Sequence, residues 1–226
     1  MKRAGLAMAL IAGSLMLGST SSAAKAPDTW DGLAKVKSKR LDVAYLLPGA
    51  DFRGYTKVML DPTELAFAKN WQRDYNSSTG GRISARISDR DMEEALVKGV
   101  AESNEIFAEQ WTKGGYQLVT QPGPDVLRIK TGVLNIRVNA PDVQSAGRTY
   151  SFSREAGEAT FFVEARDSLS GALLGRAVDQ RYAGEGGQAW RTRGSNRDDF
   201  RQLVAEWGRD AVRGLGELKA LSPVQP

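Results

Sequence analysis

The chain has 226 residues and a formal net charge of +4, and it contains neither histidine nor cysteine. Without these residue types it cannot build a Ser-His-Asp or Cys-His catalytic centre, a disulfide, or the imidazole and thiolate sites that zinc prefers. Acidic and basic residues are interspersed along the chain, which is typical of a solvated surface and argues against nucleic acid as a partner.

The first 24 residues have the organisation of a secretory signal peptide. Lys2 and Arg3 precede an apolar run over residues 4–17, and the small residues of 22–24 suit a signal peptidase. The apolar run is too short to remain as a membrane span. Because both early cations leave with the leader, cleavage would lower the formal charge by two, from +4 to +2. We therefore expect a periplasmic or secreted product that is soluble after cleavage, and the leader has no lipobox cysteine.

The rest of the chain divides into an ordered lead-in over 25–54, a domain over 55–219 and a flexible tail over 220–226. Within the domain, short segments with strand-like alternation are separate from two long segments with helical periodicity. We predict a single α+β domain in which a mostly antiparallel sheet of about five strands carries the two amphipathic helices on one face.

The longest predicted strand, over 125–139, changes phase along its length. Its apolar residues occupy odd positions up to Thr131 and even positions from Leu134 onward. A regular strand would turn its core face outward at such a change. Gly132 lies near the switch, and a glycine within a strand commonly marks a bulge that restores the facing. The sequence therefore predicts one long strand with a bulge at Gly132.

Shorter strands and loops surround this one. Alternation and turn residues predict strands over 55–60, 116–120, 158–166 and from 172 onward, an extended piece at Leu65 and Phe67 that ends near Trp71, and loops over 76–81, 144–157 and 184–194. The strand pair after the long strand forms a hairpin around a turn at 167–171, and Leu174, Val178 and Tyr182 share one face of its second arm.

Two helices are marked by their caps and apolar stripes. Ser88 and Asp91 form a capping-box pattern, and the helix they open stops at Gly114 and Gly115. Its stripe consists of Met92, Leu96, Val100, Phe107 and Trp111. The second helix is capped by Ser195 or Asn196, and its stripe consists of Phe200, Leu203, Val204, Trp207, Ala211, Leu215 and Leu218.

Two groupings of aromatic and basic residues form the candidate binding surface. Trp71 lies just before Arg73, and Trp190 is followed by Arg191 and Arg193 in the glycine-rich loop. Such groupings can hold sugars, anionic lipid head groups or protein partners. The alternative is that each tryptophan covers an edge of the sheet with its neighbouring arginine stacked on it.

Carboxylate chemistry is the catalytic class that stays open. Asp61, Glu64, Glu164 and Asp167 could supply a general acid and base, although nothing in their spacing brings two of them together, and such residues are commonly exposed turn and surface acids. The chain has no phosphate-binding loop and no dinucleotide fingerprint. We therefore predict no catalytic residue, no cofactor and no metal site.

Two segments resemble a bacterial family of exported proteins of unknown function, DUF3313. The first is YLLPGADFRGYTKVMLDP at 45–62, and the second comprises PDVLRI at 124–129 and VNAP at 138–141. The likeness spans nearly the whole mature chain. Members of the family are often proposed envelope lipoproteins, from which this chain differs in lacking a lipobox cysteine. The resemblance implies no catalytic residues.

These observations favour a non-catalytic cell-envelope protein that binds another envelope component, either a protein or an anionic molecule. The alternative is a carboxylate-dependent hydrolase that acts on cell-wall or polysaccharide material. The two hypotheses differ in one structural expectation: the hydrolase needs two acids that face each other in a cleft.

Overall fold

The computed structural model describes residues 26–78, 86–138, 151–153, 157–183, 189–191 and 193–225, with backbone alone for 151–153, 189–191 and 193–196. The predicted signal peptide lies outside the described residues. The strands are β1 (Thr29–Trp30), β2 (Leu33–Val36), β3 (Val43–Leu46), β4 (Lys57–Leu60), β5 (Glu64–Phe67), β6 (Gln117–Leu118), β7 (Val126–Val138), β8 (Ser151–Ser153), β9 (Gly157–Asp167), β10 (Leu173–Ala183) and β11 (Ala189–Arg191). The helices are α1 (Trp71–Ser78), α2 (Asp89–Lys113) and α3 (Arg193–Leu221).

Within the described ranges, nine strands form one sheet in the order β1-β2-β3-β10-β9-β7-β4-β6, and β5 also pairs with β7. The pairs from β1 through to β7 are antiparallel, whereas β4, β5 and β6 join by parallel pairs. β8 and β11 form a separate antiparallel pair. The predicted α+β class with a mostly antiparallel sheet is confirmed, but the predicted number of about five strands is too low.

The segment predicted as an ordered lead-in contributes three of the missing strands. β3 pairs with the outer edge of β10, and β2 and β1 continue the sheet beyond it. Tyr45 and Leu46 are buried in this position. Each of these strands is too short for its alternation to stand out in the sequence, so only the tertiary pairing reveals them.

The bulge predicted at Gly132 lies at Asn135 instead. The pairing of β7 with β9 is unbroken to Leu134 and resumes at Arg137 after one extra residue, and Asn135 has a φ of 53°. The phase change is therefore real, but it comes later along the strand. Gly132 is instead required by the close contact of its backbone with the Phe162 ring, because a Cβ at this position would lie 2.0 Å from a ring carbon.

The predicted face of the second hairpin arm is wrong beyond Leu174. A register shift near this residue places Asp179 opposite Phe161, on the side of the sheet that the helices cover. Val178 and Tyr182 consequently lie on the open side, where Tyr182 is 47% exposed. A one-residue shift of this kind exchanges the two faces of a strand.

Both long helices pack on one face of the sheet, as predicted. The capping box of α2 is present: Ser88 Oγ accepts from the Asp91 N–H at 3.2 Å, and the Asp91 carboxylate accepts from the Ser88 N–H at 2.8 Å. α3 begins at Arg193, before both predicted caps. The predicted loop 184–194 therefore contains β11 and the first residues of α3, and the predicted loop 76–81 begins inside α1.

The core is densest under the first half of the described part of α3. Trp207 is fully buried and stacks on Phe161 at 5.3 Å between ring centroids. Phe107 of α2 also stacks on Phe161, at 5.8 Å between ring centroids. The Trp207 Nε1–H donates to Asp179 at 2.8 Å. Arg181 pairs with Asp179 at 2.7 Å and with Asp210 at 2.8 Å. Burial raises the pKa of Asp179, although these donors oppose the shift.

Candidate functional site

A cavity of about 640 Å³, here called the α3 cavity, begins where the packed part of α3 ends at Asp210. It lies between α3, the helix-covered side of the sheet and residues 36–41, here called the basic segment. The sheet side is lined by Leu46, Leu127, Ile129, Val163, Ala165 and Ala177. The helix side is lined by Ala211, Gly214, Leu215, Leu218 and Leu221. Both sides are almost entirely apolar.

Small residues contribute to the lining of the cavity, among them Ala44 of β3, Ala165 of β9 and Gly214 of α3. Gly175 of β10 also lines it, but a Cβ there would lie 2.9 Å from Leu46 Cδ2, so a close contact requires this glycine. A Cβ added at Gly214 would have no atom within 4 Å, so packing does not require glycine at this position. Close-packed cores seldom leave such a volume unfilled, and the space is of the size that small-molecule sites occupy.

One buried polar group lies in the cavity wall. Trp111 of α2 lines the cavity and is 1% exposed, and its indole Nε1–H has no hydrogen-bond partner among the described residues. Most buried donors in proteins are paired. The walls themselves are apolar with few polar groups, which is the composition expected of a ligand pocket.

The open side of the cavity carries an excess of positive charge. Arg40 pairs with Glu217 at 2.7 Å, and Asp210 pairs with Arg181 at 2.8 Å, so each acid near the rim has a guanidinium partner. Lys37 and Lys39 also line the cavity, are exposed, and make no ion pair with the described residues. Two uncompensated ammonium groups therefore stand at the entrance to an apolar space.

The basic segment is held in a defined shape. Ser38 Oγ accepts from the N–H groups of Arg40, at 3.2 Å, and Leu41, at 3.0 Å. A serine that caps two backbone donors in this way stabilises a tight turn. The Arg40 to Glu217 ion pair then ties that turn to α3 across the rim of the cavity. Lys37 and Lys39 are thereby kept on either side of Ser38 at the open edge.

Trp71, a member of the candidate binding surface, is a core residue. It is 7% exposed and stacks between Phe67, at 4.9 Å, and Tyr75, at 6.0 Å. With Ala68 and Ile87 it forms a small second core under α1. Its ring is thus occupied by aromatic packing contacts, as the packing alternative expects, although the residues stacked on it are Phe67 and Tyr75. Arg73 is exposed and pairs with its neighbour Asp74 at 2.9 Å.

The structure describes the backbone of the other predicted binding residues, Trp190, Arg191 and Arg193. Trp190 and Arg191 belong to β11, where Trp190 pairs with Phe152 of β8, and Arg193 opens α3. Their side chains lie outside the described residues. The structure does not bring this segment and Trp71 together in one described site, and a binding role for Trp190, Arg191 and Arg193 stays a prediction.

Each of the four candidate catalytic acids has a partner of its own. Asp61 accepts from Arg128 Nε with both oxygens at 2.9 Å, and Glu64 pairs with Lys130 at 2.7 Å. Asp167 accepts from Ser170, at 2.7 Å, and from the Tyr55 hydroxyl at 2.9 Å. The hydrogen bonds from Ser170 lower the pKa of Asp167, so it stays ionised near neutral pH.

Glu164 is the most buried of the four acids and lies on the open side of the sheet. It pairs with Arg176 at 2.6 Å and with Arg166 at 2.9 Å. Burial raises the pKa of Glu164, but the hydrogen bonds from the two guanidinium groups outweigh it and hold the pKa below its usual range. Arg176 also pairs with Asp31 and lies over the Trp30 ring at 4.2 Å. This cluster is an ion-pair network, in which the guanidinium groups favour the ionised form of Glu164.

The α3 cavity was not predicted from the sequence. Its lining comes from five strands, two helices and the segments between and after them, and the sequence does not place these together. The available signals were weak: the KSKR run at 37–40 and the glycines at 214 and 216 in a predicted helix. A glycine inside a helix costs about 1 kcal/mol relative to alanine, so an uncapped one suggests a local constraint.

The chain has distant likenesses among solved structures. The alignment with a subunit of the PelC dodecamer from Paraburkholderia phytofirmans covers 74% of this chain and 95% of that subunit, at 10% identity and a TM-score of 0.34. The alignment with a DUF330-family protein from Xanthomonas campestris covers 77% of this chain and 91% of that protein, at 11% identity and a TM-score of 0.37. For a minor lipoprotein from Acinetobacter baumannii the shares are 72% and 94%, at 11% identity and a TM-score of 0.31. These likenesses are too weak to transfer a partner, an assembly or a function.

No curated protein matches the chain. Comparison with protein-family models, in contrast, identifies its family. The family model described as a protein of unknown function, DUF3313, matches residues 19–211. This match covers most of the chain, including the three strands of the lead-in, the long strand β7 and the packed part of α3. The protein therefore belongs to the DUF3313 family, as the resemblance of its two sequence segments implied.

Proposed function

We propose that this protein is a non-catalytic, exported binding protein and that its ligand site is the α3 cavity. The observation that carries the proposal is a space of about 640 Å³ with almost entirely apolar walls and with two lysines that make no ion pair with the described residues, Lys37 and Lys39, at its open side. Ligand pockets of proteins have this volume and this combination of apolar walls with few polar groups.

The arrangement of acids supports binding rather than hydrolysis. Asp61, Glu64, Glu164 and Asp167 each engage a cation or a hydroxyl group, and none of them lines the α3 cavity. A glycosidase-like mechanism needs one protonated and one ionised carboxyl on either side of a substrate. The lowered pKa values of Glu164 and Asp167 work against that requirement.

The proposed location follows from the leader. Residues 1–24 have the three regions of a secretory signal peptide, and no helix of the described ranges is long and apolar enough to span a membrane. A periplasmic or secreted protein meets the components of the cell envelope, which include apolar and anionic molecules. An envelope component is therefore the proposed ligand class, and Trp190, Arg191 and Arg193 form the proposed second contact surface, which would bind a protein.

The proposal is tested by filling the cavity with a side chain. Gly214→Leu introduces an isobutyl group at a residue of the cavity lining where an added Cβ meets no atom within 4 Å. We expect the affinity for a neutral naphthylamine dye, which fluoresces in apolar surroundings, to fall by about tenfold or more, because the dye and the leucine compete for one space.

Gly216→Leu is the matched control. Gly216 lies in the same helix, also has no atom within 4 Å of an added Cβ, is exposed and does not line the cavity. Dye affinity should be unchanged in this variant. If Gly214→Leu and the wild type bind the dye equally while both remain folded by circular dichroism, the α3 cavity is not the binding site and the proposal fails.

A further inference from the structure

We infer that the ligand of the α3 cavity is an amphiphile with one acyl chain and an anionic head group. The acyl chain lies in the cavity, and the head group lies at Lys37 and Lys39. This inference rests on the proposed function, because it names the ligand class of the same site. It goes further in assigning a charge sign and two head-group residues.

The walls select an apolar chain. From floor to rim the lining includes Phe52, Trp111, Leu127 and Leu215, which are all buried, and then the partly exposed Leu218. Transfer of apolar surface from water to such walls is favourable at roughly 25 cal/mol per Å². A sugar or a peptide backbone would leave its polar groups unpaired against these walls, which is costly. A hydrocarbon chain has no such groups.

The rim selects the charge of the head group. Arg40 is engaged by Glu217 and Asp210, and Arg176 by Glu164 and Asp31. Lys37 and Lys39 are therefore the cations of the described cavity lining that lack an ion pair. An anion at this position gains two attractive interactions and breaks none of the existing ones. A cationic head group would be repelled by both lysines.

The geometry of the basic segment favours a head group at the surface. Ser38 caps the turn that separates the two lysines, and the Arg40 to Glu217 pair holds this turn against α3. A ligand whose chain enters the cavity thus leaves its polar end beside Lys37 and Lys39, in contact with water. The full cost of burying a charge is avoided, because the head group remains solvated.

The test compares laurate with dodecanol, which share a chain and differ in the head group. Each is titrated against protein loaded with the neutral dye, and displacement gives its affinity. We expect laurate to bind more tightly than dodecanol to the wild type. In Lys37→Gln/Lys39→Gln the laurate affinity should fall by roughly tenfold, because two attractive charges are removed from the head-group position. Dodecanol should displace the dye equally well from both proteins.

Two further measurements separate this inference from the proposed function. Lys69→Gln/Lys98→Gln removes the same charge from exposed positions outside the cavity lining, and it should leave laurate binding unchanged. Added salt should weaken laurate binding to the wild type more than to the Lys37→Gln/Lys39→Gln variant.

The outcomes are distinguishable. If dodecanol and laurate bind equally and the loss of both rim lysines has no effect, the head-group assignment is wrong, while a cavity that binds the dye and loses it in Gly214→Leu still stands. If the dye itself does not bind, or binds regardless of Gly214→Leu, the proposed function fails first. If the purified protein is a dimer that Gly214→Leu dissociates, a second copy occupies the cavity and the lipid inference is overturned.

Discussion

The two halves of α3 face the same sheet, yet the first half packs directly on it, whereas the second half lies beside the α3 cavity and contributes Leu215 to the core. In the first half, Leu203, Val204 and Trp207 are buried, and Trp207 fills the space above Phe161. In the second half, Ala211 and Gly214 face Ala165 across the α3 cavity. The ion pairs of Arg181 with Asp179 and Asp210 separate the two regions.

The difference indicates that the two halves of α3 have different roles. The packed half has the large apolar contacts that hold the domain together, whereas the second half borders a space in which a Cβ added at Gly214 meets no atom within 4 Å. Cavities cost stability in proportion to their volume. Retaining a cavity beside a well-packed core therefore points to a use for the space, and each half makes distinct predictions.

The largest effect is expected in the packed half. Trp207→Ala should lower the free energy of unfolding by about 3–5 kcal/mol, because it removes a fully buried ring and leaves the Asp179 carboxylate without the indole donor. Phe107→Ala, on the facing helix, should have an effect of the same size. Urea unfolding measures both. Trp30→Ala is the control, since that ring is 40% exposed; an equal loss in all three variants would contradict the packing described.

On the opposite face of the sheet, the ion pairs of Glu164 should make a pH-dependent contribution to the free energy of unfolding. Glu164→Gln should cost about 1–3 kcal/mol at neutral pH, because the carboxylate accepts hydrogen bonds from Arg176 and Arg166. The folded-state pKa of Glu164 is below its usual 4.5. Its contribution is therefore present above pH 4.5 and is lost as the pH falls through the lowered folded-state value.

Thermal or urea unfolding of wild type and Glu164→Gln between neutral pH and the onset of acid unfolding measures this difference. The gap between the two proteins should narrow as the pH drops below the unfolded-state value. A gap that stays constant with pH would mean that the ion pairs of Glu164 are not formed in solution.

The glycines of α3 test the comparison most directly. A Cβ at Gly208 would lie 2.8 Å from Gln110 Cγ and 3.3 Å from a ring carbon of Phe107, so this glycine allows α3 to approach α2 closely. Gly208→Ala should destabilise the protein by about 1–2 kcal/mol, even though alanine is the better helix former. Chemical unfolding is sufficient to measure it, and a stabilised Gly208→Ala would show that the helices do not pack as described.

The smallest effect has the opposite sign. Gly214→Ala should raise the free energy of unfolding by about 0.5–1 kcal/mol, because alanine gains helix propensity and its methyl group meets open space. Gly216→Ala, at an exposed position, should behave in the same way. The contrast with Gly208→Ala separates the packed half from the open half. If Gly214→Ala were destabilising, the cavity would be closed in solution.

Local patterns were sufficient for much of the fold. The capping box at Ser88 and the stripe ending at Trp111 predicted α2, since caps and helical periodicity depend only on neighbouring residues. The phase change in β7 was also visible, because alternation alone reveals it, although the bulge lies at Asn135 and not at Gly132. The DUF3313 family was likewise identified from two sequence segments.

Interactions between distant segments decided the rest. β1, β2 and β3 become strands only because β10 offers them an edge, and a register shift near Leu174 exchanged the predicted faces of β10. Trp71 looked available for binding until Phe67 and Tyr75 were found stacked on it.

The α3 cavity is the clearest case of what only the tertiary structure decided. The sequence determined that Ala165, Gly175 and Gly214 are small, but a small residue leaves a space only where its neighbours are also small. Those neighbours come from different strands and from a helix far along the chain. Packing is a property of residues brought together by folding, so the site could not be predicted before the fold was known.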